Sequence, residues 1–117
     1  MSTKTAIVIQ TNIADDLAGV YRGLGTTAEF AEAGDDVVLV FDGSGVDSLA
    51  AISAEDHKLH SLLEGLRDNV LGACGFCAKS HGVEEAIVDG GWKLLDDYKG
   101  HASLRNLVVE GRQIITF

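Results

Sequence analysis

Short uninterrupted apolar runs, separated by stretches of helical periodicity, constrain this chain more than any other feature. TAIVIQ (Thr5 to Gln10) and DVVLVF (Asp36 to Phe41) are rich in β-branched residues and show no alternation. That is the pattern of strands buried on both faces. Between them Leu17, Val20, Tyr21, Leu24, Ala28 and Ala31 recur at three- and four-residue steps. The spacing predicts an amphipathic helix from Ala14 to Ala33, capped by Asn12 or Asp15 and ended by Gly34. Gly19, Gly23 and Gly25 weaken it by about 1 kcal/mol each relative to alanine. As small residues they also let the helix approach a sheet closely.

Val46 to Leu66 reads as helix in two parts. Ser53 is placed to cap the second, with Glu55 and Asp56 in its first turn and Leu59, Leu62, Leu63 and Leu66 as its core stripe. His57 and His60 read as solvated helix positions. Val70 to Cys74 forms a third strand, followed by helical turns through Gly82 and over Glu84 to Ile87. Trp92 to Leu95 is a short fourth strand. Ser103 caps a last helix, Leu104 to Glu110, and QIITF (Gln113 to Phe117) is a terminal strand. Alternation of this kind implies one α/β domain over residues 1–117, a three-layer Rossmann-like fold whose mostly parallel five-stranded sheet is covered on both faces. Sites in such sheets are built at the carboxyl ends of the strands. The loop Asp42-Gly43-Ser44-Gly45 lies there, but it has neither the GxGxxG nor the GxxxxGK[ST] arrangement and reads as a flexible connection.

The net charge of −9, with only 9 basic residues among 117, argues against a nucleic-acid partner. The acids are scattered, a feature of soluble surfaces. No apolar run approaches the roughly 20 residues of a membrane span, and MSTKTAIVIQT lacks the apolar core and cleavage site of a signal peptide. A cytoplasmic protein with no membrane association is the expectation.

The chemistry concentrates in VLGACGFCAKSHGV, Val70 to Val83, which holds both cysteines of the chain, Cys74 and Cys77. A strand runs there into a helix start, where unpaired backbone N–H groups stabilise a thiolate. Four readings are open. A zinc knuckle needs two further ligands; only His81 is near in sequence and there is no second CxxC, so neither metal nor cofactor is expected. A thioredoxin-like oxidoreductase uses CxxC, but this pair follows the third strand and the chain has no proline to face it. Two buried, inert cysteines are the third reading. The fourth is a sulfur carrier, in which an exposed Cys74 thiolate holds sulfane sulfur as a persulfide, Lys79 and His81 supply positive charge, and Cys77 resolves it.

The segment ACGFCAKSHGV, the strand-helix-strand-helix opening and the closing G-x-Q-I-I-T-F resemble the DsrE/DsrF/TusD family of sulfur-relay proteins. The resemblance runs over essentially the whole chain; its most specific part is a cysteine eight residues ahead of a Gly-Val pair, here Cys74 before Gly82-Val83. It implies a small cytoplasmic protein with a five-stranded parallel sheet, assembled as a trimer or hexamer. It further implies a sulfurtransferase or sulfur-carrier role with Cys74 as the acceptor, serving donor and acceptor proteins. The runner-up readings are a non-catalytic oligomeric interaction subunit and a CxxC thiol-disulfide oxidoreductase.

Overall fold

The strands expected from the apolar runs assemble into one all-parallel sheet. The computed structural model describes residues 1–117 and contains β1 (Lys4–Ile9), β2 (Asp36–Phe41), β3 (Val70–Cys74), β4 (Leu94–Leu95) and β5 (Gln113–Thr116) in the order β4-β3-β2-β1-β5. Every neighbouring pair is parallel. From β1 the chain steps in one direction, through β2 and β3 to β4, and then returns across the whole sheet to β5. Right-handed crossovers put all the forward-stepping helices on one face and the returning helix on the other.

Those helices are α1 (Leu17–Glu32), α2 (Gly45–Ile52), α3 (His60–Gly65), α4 (Gly75–Ser80) and α5 (Glu84–Asp89), with α6 (Leu104–Val109) alone on the return. The core divides accordingly. Ile7, Ile9, Leu39 and Phe41 pack with residues such as Leu24 and Leu49 on the crowded face. Ala6, Val8, Val40 and Leu95 pack with Leu107 of α6 on the other. The sheet is thus covered on both faces, unequally. No helix is long and apolar enough to cross a membrane.

Local chemistry adjusts several boundaries. The cap of α1 is neither Asn12 nor Asp15 but Asp16, whose carboxylate accepts from the Gly19 N–H at 3.0 Å; Asn12 instead accepts from the Ala14 N–H and closes the preceding turn. Of the three α1 glycines only Gly23 serves a close approach to the sheet, since a Cβ there would lie 2.8 Å from the Ile9 side chain; Gly19 leaves room for the capping Asp16 carboxylate, and at Gly25 a Cβ would meet nothing closer than 3.9 Å. Ser53 does not start a helix. It ends α2, its hydroxyl donates to the Leu49 carbonyl, and it accepts from the Trp92 indole N–H at 2.8 Å. Glu55, Asp56 and His57 therefore lie in turns before α3. His57 and His60 are only partly solvated: each is half-buried and tied to backbone, His57 Nδ1 accepting from the Leu59 N–H and His60 Nδ1 meeting the Ile52 carbonyl.

One irregularity sits beside the cysteines. Leu39 pairs with Val70 but Val40 pairs with Gly72, so β3 carries one extra residue, Leu71, and bulges. Gly72 adopts φ +152°, a conformation that a side chain disfavours, and its Cα faces the Lys93 carbonyl so closely that a Cβ would collide with it. The next residue, Ala73, donates to that same carbonyl at 2.9 Å and so begins the pairing with β4.

Candidate functional site

Because all five strands run the same way, the loops that follow β2, β3 and β4 share one edge of the sheet. Three segments distant in sequence meet there. The β3–α4 junction supplies Cys74 and Cys77, the β2–α2 loop supplies Asp42, and the β4–α6 segment, residues 96–103, supplies His101.

Cys74 is the last residue of β3 and the N-cap of α4, so its sulfur accepts the Cys77 N–H at 3.5 Å. Its Sγ also lies 3.6 Å from His101 Nδ1. The Cys74 and Cys77 sulfurs and a ring nitrogen of His101 all lie within 4.8 Å of one another, and both cysteines are free thiols. Cys77, half-buried, points its sulfur toward Asp42 Oδ1 at 3.9 Å, while Gln10 donates to the other Asp42 oxygen at 3.1 Å. Burial pushes the Cys77 thiol up to about 11, helped by the Cys74 sulfur beside it and the Asp42 charge, against a backbone N–H from Gly43 that works the other way. Cys77 is therefore a protonated donor at neutral pH.

The expectation of an exposed Cys74 is overturned: the residue is 0 % exposed. The β4–α6 segment folds over it. The Phe76 N–H donates to the Gly100 carbonyl at 2.8 Å, and the Phe76 ring stacks on His101 with centroids 4.3 Å apart. Lys99 and Gly100 both have positive φ, so the chain reverses within two residues, and Tyr98 and His101 exchange both backbone hydrogen bonds. That turn presents the imidazole to the sulfur. The base of the segment is closed by Asp97, which accepts from the Ser103 N–H and from Asn106 Nδ2, both at 3.0 Å. Burial opposes the Asp97 charge, but these hydrogen bonds prevail and hold its carboxyl below the usual range.

The residues expected to supply positive charge do not do so. His81 pairs with Asp47 at 2.7 Å, and Lys79 is exposed. The group that reaches Cys74 is His101, twenty-seven residues away in sequence. Its only sequence signal is position: it follows the fourth strand at the carboxyl edge, as Cys74 follows the third. The loop Asp42 to Gly45 is also less free than expected. The Gly45 N–H donates to the Asp42 carbonyl at 2.8 Å, and a Cβ at Gly45 would overlap the Ile9 carbonyl, so the turn is packed hard against the end of β1.

No protein-family model and no solved structure matches the chain. It is 34% identical over 87 residues to MJ0733, an uncharacterized protein of Methanocaldococcus jannaschii, a match that covers 74% of this chain and 70% of that protein. The chain belongs to the same family as that archaeal protein.

Proposed function

We propose that the protein carries sulfane sulfur as a persulfide on Cys74. The observation that supports this most is the convergence of the Cys77 N–H and His101 on a single buried sulfur, with the Cys77 sulfur close beside it. In this reading His101 takes the Cys74 proton. The thiolate attacks the outer sulfur of a donor persulfide, an S–S bond forms at Cys74, and the donor leaves as its thiolate. The Cys77 N–H then donates to the sulfur chain, and the Cys77 S–H reaches it by turning from Asp42. An acceptor thiolate attacks the outer sulfur, and Cys74 departs as the thiolate that was first consumed. Cys77, held protonated near neutral pH, serves better as a donor than as the nucleophile that would resolve the persulfide. The β4–α6 segment must swing aside for donor and acceptor. The resemblance to DsrE-type proteins points the same way and carries with it a cytoplasmic homotrimer or homohexamer working between partner proteins.

The test is intact mass after incubation with a sulfane-sulfur donor, with and without reductant, for the wild type, Cys74→Ser and Cys77→Ser. A reductant-sensitive gain of one sulfur, lost only in Cys74→Ser, is the expected result. Burial of Cys74 favours one rival, an oligomeric interaction subunit with inert cysteines. No mass gain, together with slow alkylation of both thiols, would establish that rival instead. Loss of two hydrogens without added sulfur would mean a CxxC redox couple.

A further inference from the structure

We infer that Cys74, Cys77 and His101 form a binding site for a thiophilic divalent cation of the zinc class. The two thiolates and one imidazole are the donors such a cation prefers, and three protein ligands leave one position of a tetrahedron for water or a substrate atom. The spacing agrees. Zinc–sulfur and zinc–nitrogen bonds of ordinary length, at tetrahedral angles, place sulfur and nitrogen about 3.6 Å apart and two sulfurs about 3.8 Å apart. Cys74 Sγ and His101 Nδ1 are 3.6 Å apart, and all three donor atoms fall within 4.8 Å of one another, so closure on an ion needs only a small movement of Cys77.

The surroundings suit a cation as well. The stacked Phe76 ring and the two-residue turn at Lys99-Gly100 fix the imidazole plane. Asp42 adds negative charge, with one oxygen 3.9 Å from Cys77 Sγ and the other held by Gln10. Binding takes both cysteines as thiolates and the imidazole through a ring-nitrogen lone pair, so the thiol protons leave as the ion binds. No electron moves. The inference does not depend on sulfur transfer. Both uses claim the Cys74 sulfur, however, so the metal-loaded protein will not accept sulfane sulfur until it is chelated.

The experiment titrates the reduced full chain with Co²⁺ without oxygen, then displaces the cobalt with Zn²⁺. The expected result is one ion per chain, a thiolate-to-cobalt charge-transfer band with the ligand-field spectrum of a four-coordinate ion, and a raised Tm in Zn²⁺. Cys74→Ser and Cys77→Ser should abolish the charge-transfer spectrum or cut its intensity by about half. His101→Gln should weaken binding at least tenfold, and His101→Cys should restore it. Cys77, on the half-buried side, gives the variant that keeps the test decisive should Cys74→Ser not fold. Absence of a one-to-one cobalt complex in the wild type would overturn the site. So would unchanged affinity in folded His101→Gln, since the ion would then sit on the cysteine pair alone.

Discussion

Replacing Gly72 by alanine attacks the joint on which the cysteine site hangs. The new Cβ would run into the Lys93 carbonyl and come within 3.1 Å of Leu95 Cγ, and the first of these is backbone that cannot rotate away. At φ +152° the alanine would also be strained, by about 1–3 kcal/mol. Relief requires β3 and β4 to separate. That breaks the Ala73 N–H bond to Lys93, a loss of about 1 kcal/mol, and disturbs packing at a further cost of about 1–2 kcal/mol. The sum, about 3–6 kcal/mol, is a large share of the roughly 5–15 kcal/mol that holds a domain of this size together. Urea unfolding followed by circular dichroism measures it. Gly25→Ala is the control: its Cβ meets nothing closer than 3.9 Å, so it should stabilise α1 by about 0.5–1 kcal/mol. Since β4 leads into the segment over Cys74, the Gly72 variant should also alkylate faster at Cys74. A destabilisation below about 1 kcal/mol, with Cys74 still protected, would refute the argument that the bulge demands glycine.

In chelator-treated protein near pH 7.5, a Cys77 titrating at about 11 rather than 9.0 has about a hundredth of an ordinary cysteine's thiolate. The greater nucleophilicity of a more basic thiolate recovers somewhat under tenfold, so peptide-resolved iodoacetamide labelling should run about tenfold slow and climb with pH toward 11; an ordinary rate at neutral pH would contradict the burial argument. The same raised value makes the folded state hold its proton above pH 9 where the unfolded chain releases it, so stability should fall from about pH 9 to 11, a loss that Cys77→Ser should lessen in pH-dependent urea melts. Asp97→Ala unties the base of the β4–α6 segment and should speed Cys74 alkylation with little change in the urea midpoint. In the wild type, where the Asp97 carboxyl is depressed, the tie is present at neutral pH and is lost only as acid takes the pH below the ordinary carboxylate range. Ser53→Ala leaves the indole N–H of the single tryptophan, Trp92, buried without its partner, which should cost about 1–3 kcal/mol and shift the tryptophan emission; an unchanged melt would show that another acceptor replaces the hydroxyl.

The parallel sheet was legible because β1 and β2 lie inside it and their sequences are unbroken β-branched runs. The helices around Ser53 were harder to read. A serine before two acids is a normal helix start, and only the indole of Trp92, thirty-nine residues away in sequence, explains why this hydroxyl serves elsewhere. Cys74 and Cys77 announced themselves by proximity in sequence. His101 did not, because its approach to Cys74 depends on β4 pairing with β3, and β4 is two residues long. The burial of Cys74 was equally hidden, since the cover comes from a segment that is exposed and polar along most of its length.

His101 belongs to the segment that covers Cys74, and this makes cover and chemistry inseparable. Any opening that admits a second molecule also withdraws the imidazole, so the exposed sulfur and the imidazole-assisted sulfur are two different species in equilibrium. Reagents that need the first will follow the opening constant multiplied by the rate at a bare thiol. Chemistry that needs the second must finish after the segment has closed again, with whatever was delivered already inside. Two rate laws for one cysteine, separable by how each responds to loosening the Asp97 tie, are built into the way this chain folds over its own carboxyl edge.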